Sequence, residues 1–155
     1  MSKRTTKKYL FRGSTINWPG SVSSQSLPRT SVTTNPIKAI LFALCCGYTN
    51  GYKSDKQIIY IIERSKLKGI STGKNWLAKV EEEIAFEIKP SDYISLCEGY
   101  IFAEDAINII LSMRLTIPAI IDDSLFLDAL KNTPAMSNVN IEQFYLLAQP
   151  FLNKP

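Results

Sequence analysis

The 155-residue chain contains no histidine, which removes a Ser-His-Asp triad, a Cys-His dyad, a His-ligated zinc and imidazole acid/base catalysis together. Whatever chemistry it performs runs on Arg, Ser, Thr, Tyr, Lys and carboxylates. Cysteine is almost as scarce. There are three, with Cys45 and Cys46 adjacent, an odd set that suits reduced thiols better than a disulfide framework and leaves a Cys-only metal site one ligand short. Long apolar runs are missing too: the longest, near Ile37 to Cys46, is too short to span a bilayer, and the basic opening Met1-Ser-Lys-Arg-Thr-Thr-Lys-Lys-Tyr-Leu has no apolar stretch of the kind a secretory signal needs. These absences predict a cytoplasmic protein with no membrane association and no bound metal. Acidic residues are absent from positions 1 to 54, which hold eight Lys/Arg, whereas positions 55 to 155 hold ten Lys/Arg and all fourteen acids, or +8 against −4. That polarity predicts an anionic ligand or nucleic acid near the first segment, a basic irregular start being the plain alternative.

What is present describes one compact domain, since 45% of residues are apolar and no fixed-period repeat interrupts the chain. Tyr9-Leu10-Phe11 reads as a short strand that ends at Arg12-Gly13, followed by a loop over residues 13 to 30 carrying Trp18-Pro19-Gly20 and Pro28. Asn35 is a good N-cap, Pro36 suits the first helical position, and Ile37, Ile40, Leu41 and Leu44 give a helix one apolar face before Gly47 stops it. The isoleucine-rich run Gln57 to Glu63 reads as a central strand covered on both sides. Trp76 to Ile88 alternates as a strand, Pro90-Ser91-Asp92 turns the chain, and Tyr93 to Leu96 with Tyr100 to Phe102 reads as further strand pairing. Three short helices follow, marked by Phe102, Ala106, Ile109, Ile110 and Met113, by Leu125, Phe126, Ala129 and Leu130, and by Ile141, Phe144, Tyr145 and Ala148. The expected architecture is an α+β domain with a strand-rich core over residues 1 to 102 and a helical extension over 103 to 155 packed on the same domain.

Three local features carry candidate chemistry. Arg12-Gly13 closes the first strand, Ser31-Val32-Thr33 precedes the capped helix, and Glu81-Glu82-Glu83 enters a later strand. Taken singly, each has a structural explanation: a surface cation beside a turn, hydroxyls that help cap the helix, and a solvated acidic face. In a strand, however, Glu81 and Glu83 point the same way, roughly 7 Å apart at about 3.3 Å rise per residue. Carboxylates so paired divide labour, one holding a hydroxyl or a developing cation while the other takes a proton.

In this order, Arg12-Gly13, then Ser31-x-Thr33 followed by Thr34-Asn35-Pro36-Ile37-Lys38-Ala39-Ile40-Leu41-Phe42-Ala43, then Glu81-x-Glu83-Ile84-Ala85-Phe86, the chain resembles the Arg/Ser/Glu class of mono-ADP-ribosyltransferases related to bacterial toxins. The resemblance covers residues 9 to about 102. Ala39 and Phe42 keep the family's helix spacing, while Val32 and Thr33 replace its middle Thr and last Ser, so Ser31 is the better match for the family's first hydroxyl. The resemblance implies a small ADP-ribosyltransferase-like core built on a mixed β-sheet, with NAD as co-substrate. It implies that Arg12 binds the NAD pyrophosphate or adjoining ribose and that the Gly13 backbone holds the nicotinamide carboxamide. Ser31 would orient the catalytic glutamate and the nicotinamide ribose, with Thr33 supporting the strand. Glu83 would grip the ribose 2′-hydroxyl and stabilise the sugar cation, and Glu81 would bind or deprotonate the acceptor. The turn Ile70 to Trp76 would correspond to the family's acceptor-recognition turn, with Asn75 or Trp76 touching the acceptor, and the segment with Tyr48, Tyr52 and Lys53 to its nicotinamide-phosphate loop.

For the acceptor, the Glu-x-Glu spacing favours protein arginine within this resemblance, while the basic first third with Tyr9, Trp18, Tyr48 and Tyr52 keeps a nucleic-acid base as the alternative. The setting the resemblance implies is a toxin of a toxin–antitoxin or antiviral-defence system, or an effector of phage or host. Residues 103 to 155 would then pack on the core or dock an antitoxin or chaperone. A non-catalytic nucleic-acid-binding module is the competing class. A glycosidase using Glu81 and Glu83 is disfavoured, because neighbours on one strand do not flank a bond from opposite sides.

Overall fold

The computed structural model describes residues 9–15, 30–49, 56–67, 83–86, 90–119 and 125–154. Five strands, β1 (Tyr9–Thr15), β2 (Thr30–Thr33), β3 (Gln57–Glu63), β4 (Glu83–Phe86) and β5 (Gly99–Phe102), form one sheet in the order β4-β2-β1-β3-β5. Helices α1 (Pro36–Thr49), α2 (Pro90–Leu96), α3 (Ala103–Ser112), α4 (Phe126–Lys131) and α5 (Asn138–Ala148) complete the described chain, with 3-10 turns at Arg64–Lys66 and Gln149–Phe151. The chain is thus α+β. Among the described residues every strand pairing is antiparallel, where a mixed sheet was expected. The reason is topological: β2 and β3 run the same way and are joined through α1, but β1 lies between them and pairs antiparallel with both.

Strand β1 runs on to Thr15, so Arg12 and Gly13 sit inside the strand and not at its end. Gly13 is there for clearance. A Cβ on it would press against the Ala39 carbonyl oxygen and lie 2.5 Å from Ala43 N, so the α1 backbone rests directly on the strand. Residues 30 to 33, of which only Thr30 was expected in the loop, form strand β2, which ends at the helix cap. There Asn35 N donates to Thr33 Oγ1 at 3.1 Å, Ile37 N donates to Asn35 Oδ1 at 2.9 Å, and Asn35 Nδ2 donates to the Pro134 carbonyl at 3.1 Å.

Helix α1 continues through Gly47 to Thr49, since a helical glycine lowers stability without ending a helix that packing holds. It also buries more than the single face expected. Ile37, Ala39, Ile40, Leu41 and Ala43 are all fully buried, because the sheet covers one side while α4 packs Ala129 and Leu130 against Leu41 on another. Strand β3 is central as anticipated, with Ile58, Ile59, Ile61 and Ile62 buried on both faces. Tyr93 to Leu96 is helical where a strand was expected. Pro90 opens that helix with a preset φ, and Tyr93 and Cys97, four apart, join the same apolar cluster.

Strand β5 passes into α3 without a linker, and one core takes Phe11, Ile40, Ile59 and Ile101 together with Ala106, Ile110, Ile141 and Phe144. Phe144 meets Phe11 edge-on at 5.5 Å, and Tyr145 stacks on Tyr9 at 3.9 Å. Beyond α5, Asn153 exchanges backbone hydrogen bonds with Tyr100 at 2.8 and 2.9 Å and closes the outer edge of β5.

The close approach at Gly13 makes a direct prediction. Gly13→Ala forces helix and strand apart, with an expected cost of about 2–3 kcal/mol and a Tm lower by roughly 4–12 °C in thermal denaturation. A variant melting at the parent's temperature would show that the two backbones do not rest on each other there.

Candidate functional site

The sheet order places the strands carrying the three candidate motifs side by side. Thr33 is the Cα partner of both Phe11 on β1 and Glu83 on β4, while Val32 pairs with Ile84 and Ser31 with Ala85. Carrying the Phe11–Thr33 register along the antiparallel pair puts Arg12 opposite Val32 and Gly13 opposite Ser31. Glu83 and Thr33 therefore share one cross-strand row, and Ser31 lies in the next row of the same parity. Arg12 occupies the row between. Alternate rows of a pleated sheet belong to opposite faces, so the register groups Ser31, Thr33 and Glu83 and leaves Arg12 on the other side.

Thr33 is 3% exposed, and its hydroxyl takes part in the turn into α1, which is the capping role open to it from the start. Gly13 lies on the α1 side, where its missing side chain admits the helix. Glu81, Asn75 and Trp76 fall outside the described residues, as do the rest of the turn from Ile70, Trp18, Tyr52 and Lys53; Tyr48 lies within α1.

On the Arg12 face, the row runs Arg12–Tyr60–Tyr100 across β1, β3 and β5. Beside it Leu10, Val32, Ile62, Leu67, Tyr93 and Cys97 form a second apolar cluster under α2. Tyr93 is fully buried, meets the Tyr60 ring edge-on at 6.2 Å, and its hydroxyl has no hydrogen-bond partner among the described residues. Burial holds this phenol well above its ordinary range, opposed by the positive charge of Arg12. Burial likewise pushes the Cys97 thiol up to about 12, and its Sγ donates to the Tyr93 carbonyl at 3.3 Å. Neither residue was foreseen as part of a site. The signal was their helical spacing behind Pro90, hidden by the strand reading of that segment.

A second concavity lies at the Tyr9 end of β1. Tyr9, Glu63, Glu98, Glu142, Tyr145, Leu146 and Gln149 line an open cavity of about 450 Å³. Burial first, then the neighbouring Tyr145 and the glutamates, raise the Tyr9 phenol to about 12, and Lys66 pairs with Glu98 at 2.7 Å. Among the described residues no group of three His, Cys, Asp or Glu side chains is placed to hold a metal ion, and no helix is long and apolar enough to cross a membrane. No protein-family model matches the chain, and no curated protein or solved structure matches it.

The buried phenols and thiol fix the sign of the alkaline response. Tyr9, Tyr93 and Cys97 keep their protons in the fold above their ordinary values of 10.0 and 9.0, so the unfolded chain releases protons first as pH rises. Their contribution is complete below about pH 9 and is lost progressively toward pH 12. A denaturation midpoint that stays level to about pH 9 and then falls is expected; one that stays level through pH 11 would contradict the burial of all three.

Proposed function

We propose that the chain is an NAD-dependent mono-ADP-ribosyltransferase that transfers ADP-ribose to a macromolecular acceptor, protein arginine first. The observation supporting this reading is the contiguity of β4, β2 and β1, which makes Glu83 the direct strand partner of Thr33, two rows from Ser31, although fifty residues separate Thr33 from Glu83 along the chain. The sequence resemblance supplies the chemistry. In it the bond from ribose C1′ to nicotinamide breaks with its electron pair going to the nicotinamide nitrogen. Glu83 holds the 2′-hydroxyl and faces the positive charge that builds on the sugar, an electrostatic stabilisation needing no metal. A lone pair of the acceptor then bonds to C1′, and the proton the acceptor gives up passes to Glu81.

Arg12, in the alternate row, keeps its pyrophosphate-binding role on the strength of the resemblance alone, and Ser31 with Glu83 is the pair the sheet favours. In the same reading the exposed apolar side chains Val139, Leu146 and Phe151 of the C-terminal segment are where an antitoxin or chaperone docks.

Incubating folded protein with labelled NAD and a cell extract split into protein and nucleic-acid fractions tests the activity and names the acceptor class. Glu83→Gln is expected to lower both nicotinamide release and label transfer by about 10²-fold or more while leaving the melting temperature near the parent's. Absence of nicotinamide release from the folded parent, freed of any bound partner, would overturn the transferase reading in favour of a binding module.

A further inference from the structure

The outward face of β5 departs from what an antiparallel edge strand normally presents. Its burial alternates, Gly99 and Ile101 packed inward and Tyr100 and Phe102 half-buried on the other side. An antiparallel sheet with one solvated face places polar residues at such positions. Here the half-open positions are aromatic, and they continue onto the neighbouring strand. Tyr60, half-buried on β3, is the Cα partner of Tyr100 and meets its ring edge-on at 6.1 Å, and Tyr100 meets Phe102 edge-on at 5.8 Å. With Tyr93 behind Tyr60, the rings make a continuous ladder along the sheet.

Cations border the ladder at both ends. Lys56 is exposed and holds its Nζ 5.0 Å from the centre of the Phe102 ring, and Arg12 is the Cα partner of Tyr60. Of the acidic residues near these strands in sequence, Glu98 is held by Lys66 at 2.7 Å and with Glu63 lines the concavity at Tyr9, Glu104 and Asp105 belong to α3, whose buried side chains pack on the opposite face of the sheet, and Asp55, next to Lys56, lies outside the described residues. No acidic residue occurs before Asp55, so the chain that supplies β1, β2 and α1 adds only positive charge to this molecule.

We propose that this half-open sheet face, Tyr60, Tyr100 and Phe102 flanked by Lys56 and Arg12, binds single-stranded nucleic acid. Bases stack on the exposed parts of Tyr100 and Phe102, and Lys56 leaves the Phe102 ring to meet a backbone phosphate. Aromatic rings on a sheet face suit this ligand because every base offers a π-face, and a flanking cation suits the phosphate between bases. A protein or lipid ligand has no comparable need for a row of rings with a cation at each end. The inference stands apart from the transferase reading, because it concerns binding without NAD.

The test is fluorescence anisotropy of a short labelled pyrimidine strand titrated with the full chain at low salt, without NAD. Binding that weakens linearly in log Kd with log salt is expected for the parent. Phe102→Leu keeps an apolar side chain there and removes the ring, and is expected to weaken binding roughly 5- to 150-fold per stacked base lost. Lys56→Glu, at an exposed position, is expected to weaken binding and flatten the salt slope with no change in melting temperature. Glu83→Gln, which disables the proposed transfer, is expected to bind the strand as the parent does. Absence of binding by the parent overturns the proposal, as does equal binding by parent, Phe102→Leu and Lys56→Glu, which would place the contacts on other basic residues. Displacement of the strand by NAD, one for one, would also overturn it and assign the face to the dinucleotide.

Discussion

Helix α1 rests on the middle of β1 because Gly13 has no side chain, and most of the architecture depends on that contact. With the helix seated there, Ile37, Ile40 and Ala43 reach the same core as Phe11 and Ile59, and Leu41 is left on the helix's far side to receive α4. The cap at Asn35 fixes where the helix begins, and the Nδ2 bond to the Pro134 carbonyl ties that cap to the segment between α4 and α5. A larger residue at position 13 would lift α1 and, through it, loosen the C-terminal helices, because all of them bury their apolar sides against α1 or the sheet beneath it.

The positions that could be read from the amino-acid sequence are those where one local signal had no competitor. Asn35-Pro36 before a helical apolar period, the isoleucines of β3, and the spaced apolar residues of α3 and α5 each point to a single answer, and the fold agrees with each. Tyr93 to Leu96 was misread because a short segment with aromatic and β-branched residues after a proline satisfies both periods, and only packing with Leu10 and Ile62 decides for the helix. Gly13 was misread for a different reason. Glycine marks turns and close approaches alike, and the partner that distinguishes them, Ala39, lies far along the chain. Of the candidate site, neither the adjacency of the Ser31 and Glu83 strands nor the row parity that separates Arg12 from them was legible, because both depend on a strand order and cross-strand register no local pattern records.

The two faces of the sheet differ in how they are finished. On one, α1, α3 and α5 cover Phe11, Ile59 and Ile101 completely. On the other, α2 covers Leu10, Val32 and Ile62 and reaches the Tyr60 ring, and along the aromatic row burial falls from the fully buried Tyr93 to the half-buried Tyr100 and Phe102, while Ile58, the strand partner of Phe102, stays fully buried. The Tyr93 hydroxyl has no hydrogen-bond partner among the described residues, and a buried phenol left without one costs about 1–3 kcal/mol. A phenylalanine would fill the same space without that cost.

The outer edge of β5 adds a further constraint on what this open face can receive. Asn153 occupies the backbone donor and acceptor of Tyr100, so a peptide cannot add to the sheet at that residue by strand pairing. What β5 still offers around Tyr100 is its side chains. Recognition there has to work through ring faces and nearby cations rather than through main-chain hydrogen bonds. That requirement selects ligands with flat, stackable groups joined by negative charge, and it does so whether or not the strands of Ser31 and Glu83 carry out a transfer on the opposite face.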